Sequence, residues 1–169
     1  MSAEPARWLV DHQHLLPLTG DALDVACGAG RNAVWLAERG LRTVAVDRDV
    51  AALEALRHVA AIRTLPLSAV FMDLETADAT LGNDRYDVIV AVHYLHRPLF
   101  PRLREALRVG GVLVYETFTT AQAERGKPTN RAFLLEPGEL RQLVRPLDVL
   151  VEREGEFEGR MVSSVIARR

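Results

Sequence analysis

Apolar positions in this chain come in short runs whose spacing switches between a strand-like and a helix-like period. Glu4 to Leu16 reads as a short helix, with Trp8, Leu9 and His12 near one face and Pro17 as its stop. Leu23 to Cys27 follows as an apolar strand, broken by the turn Gly28-Ala29-Gly30. Arg31 to Arg39 has helical spacing and ends at Gly40, which favours a C-terminal stop. Arg42 to Val46 is a strand closed by Asp47, and Asp49 caps a helix to Ala61 in which Val50, Leu53, Leu56 and Val59 recur every third residue. Leu67 to Met72 is a third strand, closed by Asp73, and Glu75 to Arg85 is a poor helix or a loop.

Tyr86 to Val92 is almost wholly apolar, as in a strand covered on both faces. A helix over Pro98 to Arg108 and the turn Gly110-Gly111 lead into a strand over Val112 to Thr117. The stretch Phe118 to Phe133 is polar and irregular, a long loop. Glu136-Pro137 then opens a helix through Val144, and Leu147 to Arg153 is a strand. A hairpin around Gly155–Gly159 turns into the last strand, Met161 to Ala167. Strands alternating with helices imply a parallel sheet wound on both faces, whereas two strands joined by a tight turn must be antiparallel. The fold expected is α/β: a doubly wound, mostly parallel seven-stranded sheet with a reversed C-terminal hairpin. It occupies residues 1–169 as a single domain, with an N-terminal helical segment over 1–20 and a substrate-side loop over 118–134.

Composition narrows the partners. A net charge of −2 creates no field that would favour nucleic acid or an anionic membrane surface. Cys27 is the sole cysteine, so neither an intrachain disulfide nor a cysteine-based metal cluster can form. The start Met1-Ser2-Ala3-Glu4-Pro5 lacks a charged-then-apolar signal pattern, and no apolar run approaches the ~20 residues of a membrane span. These features make the cytoplasm the default compartment. Lys127 is the only lysine among many arginines, so a single arginine says little about binding.

The chemistry concentrates in Leu23-Asp24-Val25-Ala26-Cys27-Gly28-Ala29-Gly30-Arg31-Asn32. In an open parallel sheet, ligands bind beyond the carboxyl ends of the strands where strand order reverses. Gly28 and Gly30 allow a tight turn and close approach of a ligand, and the next helix start offers N–H groups to an anion. Asp47, 17 residues past Gly30, suits the two hydroxyls of a ribose, and Asp73 could accept from an adenine amino group. Asp24, Asp47 and Asp73 thus share one rim.

These residues, with Val46-Asp47, Met72-Asp73-Leu74, Tyr86-Asp87-Val88-Ile89 and Val109-Gly110-Gly111, resemble the motif series of class I S-adenosylmethionine-dependent methyltransferases. The Cys-Gly-Xaa-Gly-Arg-Asn form is most similar to the small tellurite-resistance-type branch. Val109 stands where that family usually has a proline. The resemblance implies S-adenosylmethionine as cofactor, with Gly28 and Gly30 at its methionine part and the carboxylate near Arg31-Asn32. It further implies Asp24 at the turn or the cofactor amine, and Asp47 with Arg48 at the ribose. Met72, Asp73 and Leu74 would meet the adenine, and Val92-His93-Tyr94 would line the cavity near the sulfonium. The turn also satisfies a dinucleotide pattern, so an NAD-dependent oxidoreductase is a competing reading. An acid inside the first strand and the terminal hairpin oppose it. A non-catalytic S-adenosylmethionine-binding accessory protein is a further alternative.

Methyl transfer from a sulfonium is an in-line displacement, so positioning supplies most of the acceleration. A base is needed only for an acceptor that starts protonated. His93, Tyr94, His96 and Arg97 follow the fourth strand, where the methyl should point; a histidine there could take a proton and Tyr94 could stack on the sulfonium. The second candidate region is Glu116-Thr117-Phe118 and the following loop, whose Lys127, Asn130 and Arg131 could meet an anionic acceptor while Phe118 and Phe133 exclude water. With no Asn/Asp-Pro-Pro-Tyr/Phe signature after strand four and no basic face, a small-molecule acceptor is expected rather than nucleic acid. A thiol, an oxyanion or a chalcogen oxyanion would suit, the last on family analogy alone.

Overall fold

The computed structural model describes residues 4–169, so Met1–Ala3 of the N-terminal reading lie outside the described residues. The strands are β1 Asp21–Val25, β2 Arg42–Asp47, β3 Leu67–Phe71, β4 Tyr86–Val92, β5 Leu107–Phe118, β6 Asp148–Phe157 and β7 Arg160–Arg168. They form one sheet in the order β3-β2-β1-β4-β5-β7-β6. The pairs from β3 through β5 are parallel, and β7 runs antiparallel to both β5 and β6. Strand order reverses between β1 and β4, which places the switch point beside the glycine turn.

Helices α1 Arg7–Asp11, α2 Arg31–Glu38 and α3 Val50–Ile62 precede α4 Phe100–Ala106 and α5 Glu139–Leu143 in the chain. Alternate residues of the central strands feed two cores. Leu23, Val25, Ile89, Ala91, Leu113 and Tyr115 pack with Leu99, Phe100 and Leu103 from α4 and the turn before it. Ala22, Val88, Val90, Val112 and Val114 pack with Trp8 and Leu9 of α1 and Leu36 of α2. Leu103 and Leu9 are fully buried, and each such side chain contributes about 1.5–3 kcal/mol.

Several expectations are revised. The N-terminal helix is shorter, since α1 ends at Asp11 and a 3-10 turn over Gln13–Leu15 follows. In α3 the buried stripe is Leu53, Leu56 and Ala60, whereas Val50 is exposed. A helix advances 3.6 residues per turn, so a strict three-residue repeat drifts off the buried face. Asp49 does cap α3, accepting from the Ala52 N–H at 3.0 Å. The chain from Glu75 to Arg85 is a loop.

The helix expected over Pro98–Arg108 is a 3-10 turn, Arg97–Leu99, followed by a short α4 that ends at Ala106. The chain becomes extended at Leu107, where β5 begins, and Arg108 reaches Asp21 at 2.9 Å and Asp87 at 2.5 Å. The expected long loop is also more built than its composition suggests. β5 continues to Phe118, and Thr120–Glu124 and Arg131–Phe133 form 3-10 turns. Buried Gln122 fastens the first turn to β7 by accepting from the Met161 N–H at 2.8 Å. No helix among the described residues is long and apolar enough to cross a membrane.

Candidate active site

The tips of β1, β2 and β3 are tied together by backbone bonds. Cys27 N–H donates to Val46 O at 3.0 Å, and Met72 N–H donates to Asp47 O at 2.9 Å. Asp47 then uses both carboxylate oxygens to order the rim. Oδ2 accepts from Gly28 N–H at 2.7 Å and Oδ1 from Asp49 N–H at 2.9 Å. Asp73 Oδ1 accepts from Glu75 N–H at 3.0 Å, which folds the chain back at the tip of β3. Arg48 lies 3.8 Å from Glu75, beside the two acids. Met72 packs on the core, and Leu74 is buried within it, so the Leu74 side chain is not available at the rim as expected.

Gly28 and Gly30 have different reasons for lacking a side chain. Both have positive φ, 52° and 76°. A Cβ on Gly28 would meet nothing within 4 Å, whereas one on Gly30 would overlap the δ-methyls of Leu56. Gly28 thus opens a cradle at the switch point, and Gly30 packs the turn onto α3. The open side of Gly28, the Asp47 carboxylate and the acid at the β3 tip together fit an adenosyl cofactor. Ala26, also at positive φ (51°), carries the strand into this turn.

The protein itself engages part of the start of α2. Asp24, 1% exposed, accepts from Ala33 N–H at 3.0 Å with Oδ2. Burial raises its carboxyl to about 7, opposed by the Ala33 hydrogen bond and by Arg31, with Asp47 pushing it further up. Asn32 is likewise engaged, its Oδ1 accepting from Ala6 N–H at 2.9 Å to hold the N-terminal segment. Arg31 donates to Glu4 O at 3.4 Å and lines a cavity.

That cavity, about 580 Å³, lies beyond the tips of β4 and β5 and is lined by Arg31, His93, Glu116, Arg153, Phe157 and Arg160 among others. His93 leaves β4, past Val92, with φ 59°, a left-handed conformation that a non-glycine residue adopts at a cost. Its N–H donates to Glu116 O at 2.7 Å and its ring stacks on Phe118 with centroids 4.6 Å apart. Arg160 Nη1 lies 3.4 Å from His93 Nε2. Burial, then Arg160 and Arg31, lower the His93 pKa to about 4, with Glu158 opposing, so the ring is neutral near pH 7. Arg160 is delivered by the two-residue turn Glu158-Gly159, at φ 52° and 73°, as a tight hairpin requires.

Arg153 forms the cavity wall. Its guanidinium sits 4.5 Å from the Trp8 ring centroid and 3.9 Å from that of Phe157, and it donates to Glu116 Oε2 at 3.1 Å. Glu116, buried, also accepts from Ser164 Oγ at 2.6 Å. Arg153 and Arg160 carry no signal in the sequence: in a chain where nearly every cation is arginine, two more on a hairpin look like solvated charges. The sole cue is that the hairpin turn lies at the active end of the sheet.

Other expected residues are placed elsewhere. Arg97 is committed to structure, donating to both oxygens of Glu139 (2.6 and 2.9 Å) and to Leu134 O at 2.9 Å. His96 begins the 3-10 turn outside the cavity lining. Lys127, Asn130 and Arg131 are exposed and none lines the cavity. Asn130 caps its own 3-10 turn by accepting from Ala132 N–H at 3.0 Å, and Arg131 lies 3.8 Å from Glu136. Of the two aromatics expected to exclude water, Phe118 stacks on His93 while Phe133 is 49% exposed.

Residues 22–111, from β1 to the glycine pair of β5, match the family described as "Methyltransferase domain". The chain belongs to that family. S-adenosylmethionine is the cofactor that this membership implies. The fold agrees with solved members. TehB from Haemophilus influenzae superposes with a TM-score of 0.79 at 22% identity, over 95% of this chain and 61% of that one. An S-adenosylmethionine-dependent methyltransferase from Mesorhizobium loti gives 0.77 at 19% identity, over 99% and 100%. At such identities the likeness is one of fold. Hemagglutinin 1 of Eikenella corrodens is 39% identical over 69 residues, which are 41% of this chain and 22% of that protein. The chain therefore spans under a quarter of that relative's length by this match, and under two thirds of TehB.

Proposed function

We propose that this methyltransferase transfers the methyl group of S-adenosylmethionine to a small anionic acceptor held between Arg31, Arg160 and His93. The observation that carries this reading is His93, whose strained backbone sets a neutral imidazole 3.4 Å from the Arg160 guanidinium in a cavity that Arg31 also lines. Among the described residues no carboxylate pairs with Arg160, whereas Arg153 is paired with Glu116 and Arg7 with Asp11 and Glu158. Arg160 and Arg31, which among those residues has only a backbone carbonyl for a hydrogen-bond partner, are thus the cavity cations left to meet an anion, and Arg31 is adjacent to Gly30 of the cofactor turn.

The cofactor supplies a sulfonium-activated methyl group. On the protein's side, the glycine turn and Asp47 hold the adenosyl group, and Arg31 with Arg160 orient the acceptor for in-line approach. His93, uncharged near pH 7 and a weaker base than a free imidazole, presents Nε2 toward Arg160, so the acceptor that suits the site is one that arrives already ionised. The Phe118 ring keeps water from one face of that imidazole.

A panel of small carboxylates, phosphates, inorganic oxyanions, thiols and neutral amines, scored by S-adenosylhomocysteine release, tests the reading. Anionic compounds should turn over and amines should not. With the best acceptor, Arg160→Ala should raise KM about 10–100-fold, the loss of about 1.5–3 kcal/mol for a charged hydrogen bond, while cofactor affinity stays the same. Faster turnover of neutral amines, or an unmoved KM in Arg160→Ala, would overturn it. The ribose role of Asp47 has its own check. Asp47→Ala should weaken S-adenosylmethionine binding in calorimetry by roughly 1–3 kcal/mol, and unchanged affinity would exclude the assignment.

A further inference from the structure

The Tyr94 hydroxyl is buried and has no hydrogen-bond partner among the described residues. Buried hydroxyls are nearly always paired, so an orphan one calls for an explanation. Tyr94 follows His93 at the tip of β4, yet the two side chains diverge. His93 lines the cavity with Arg160, which Tyr94 does not line. Tyr94 instead packs against the core cluster that holds Val46 and Leu74, the neighbours of Asp47 and Asp73, and against which Met72 also packs. Its main chain is fixed there, because Tyr115 Oη donates to Tyr94 O at 2.7 Å.

The charges that act on the phenol belong to the rim of β2 and β3. Burial raises its pKa to about 12, and the carboxylates of Glu75, Asp73 and Asp47 add to the rise while Arg48 opposes it. All four belong to the tips of β2 and β3 or the turns directly after them. The hydroxyl is therefore protonated at any physiological pH, a donor set beside the acids of the nucleoside rim.

We propose that the Tyr94 hydroxyl donates a hydrogen bond to the adenosyl half of the bound cofactor, making Tyr94 a cofactor-affinity residue on the nucleoside side. This rests on the assignment of the Gly28–Asp47–Asp73 cleft to S-adenosylmethionine. It moves Tyr94 away from the sulfonium, where its position after β4 alone would put it. The cost of the unpaired hydroxyl in the ligand-free protein is relieved when the cofactor enters, so the residue favours the loaded state.

Calorimetry of wild type and Tyr94→Phe with S-adenosylhomocysteine and with 5′-methylthioadenosine, together with melts of the ligand-free proteins, tests this. Both ligands should bind Tyr94→Phe about 5–15-fold more weakly, by the same factor, because the second ligand keeps the nucleoside and lacks the amino acid. The ligand-free variant should melt no lower than wild type, since the deleted hydroxyl has no protein partner. Equal affinities in the two proteins would overturn the proposal. So would a loss seen with S-adenosylhomocysteine alone, or a lower melt of the ligand-free variant. Wild-type protein that binds neither ligand would instead sink the cofactor-cleft assignment itself.

Discussion

Gly30→Ala should lose about 2–4 kcal/mol of folding stability, while Gly28→Ala should fold almost normally and fail to hold the cofactor. The two glycines are separated by one residue and share a positive φ, so sequence position does not distinguish them. Their surroundings do. A methyl on Gly30 overlaps both δ-methyls of Leu56, which is 2% exposed and packed with Leu53, Cys27 and Ala33, leaving little room to yield. Left-handed backbone adds strain for alanine, and overpacking of a close-packed core adds more. At Gly28 only the backbone strain applies, about 1 kcal/mol, because the added methyl enters open space. That space is where an adenosyl ligand would pass, so binding should fall at least about tenfold, measured by titration with S-adenosylhomocysteine. Thermal melts separate the pair: if both variants melt alike, the packing role given to Gly30 is wrong. If Gly28→Ala binds as wild type does, its open side is not the cradle.

The same contrast explains what the sequence makes legible. Central strands such as Tyr86–Val92 announce themselves because burial on both faces demands an unbroken apolar run. The reversed hairpin follows from its tight turn alone. Acids at strand tips are also readable, since Asp47 and Asp73 each interrupt an apolar run at the same end of the sheet. What the local pattern does not encode is which partner a polar side chain meets. Arg97 and His93 lie four residues apart on one expected rim, yet Arg97 is taken by Glu139, 42 positions away, and His93 by Phe118 and Arg160. Asn32 has the position of a cofactor ligand but fastens the N-terminal segment through Ala6. Lys127 is the sole lysine, a property of composition that has no bearing on where the loop folds. The cavity at Arg160 depends on residues from α1, the end of β4, β5 and the hairpin meeting across the sheet, a non-local arrangement with no periodic signature.

Asp24→Asn should stabilise the ligand-free protein at pH 8 by on the order of 2–4 kcal/mol and at the same time impair cofactor binding. The Asp24 carboxyl is raised from an ordinary 3.8 to about 7, chiefly by burial. Below both values the folded and unfolded chains each hold the proton, and Asp24 carries no penalty. As pH rises from about 4 to 7, the unfolded chain releases it while the folded chain retains it, so stability falls across that window and levels off above it. Asparagine has no charge to bury, and its side-chain oxygen can still accept from Ala33 N–H at the start of α2. The gap between variant and wild type should therefore be small near pH 4, widen through pH 7 and stay constant beyond. A cationic ligand group such as the cofactor's amine would compensate such a carboxylate, which is the ground for the expected loss of affinity. Loss of S-adenosylmethionine affinity in Asp24→Asn, with calorimetry at pH 8, is the functional counterpart of the stability gain. A variant that melts below wild type at pH 8, or a gap that ignores pH, would show that Asp24 serves α2 alone and that its burial carries no charge for the cofactor to meet.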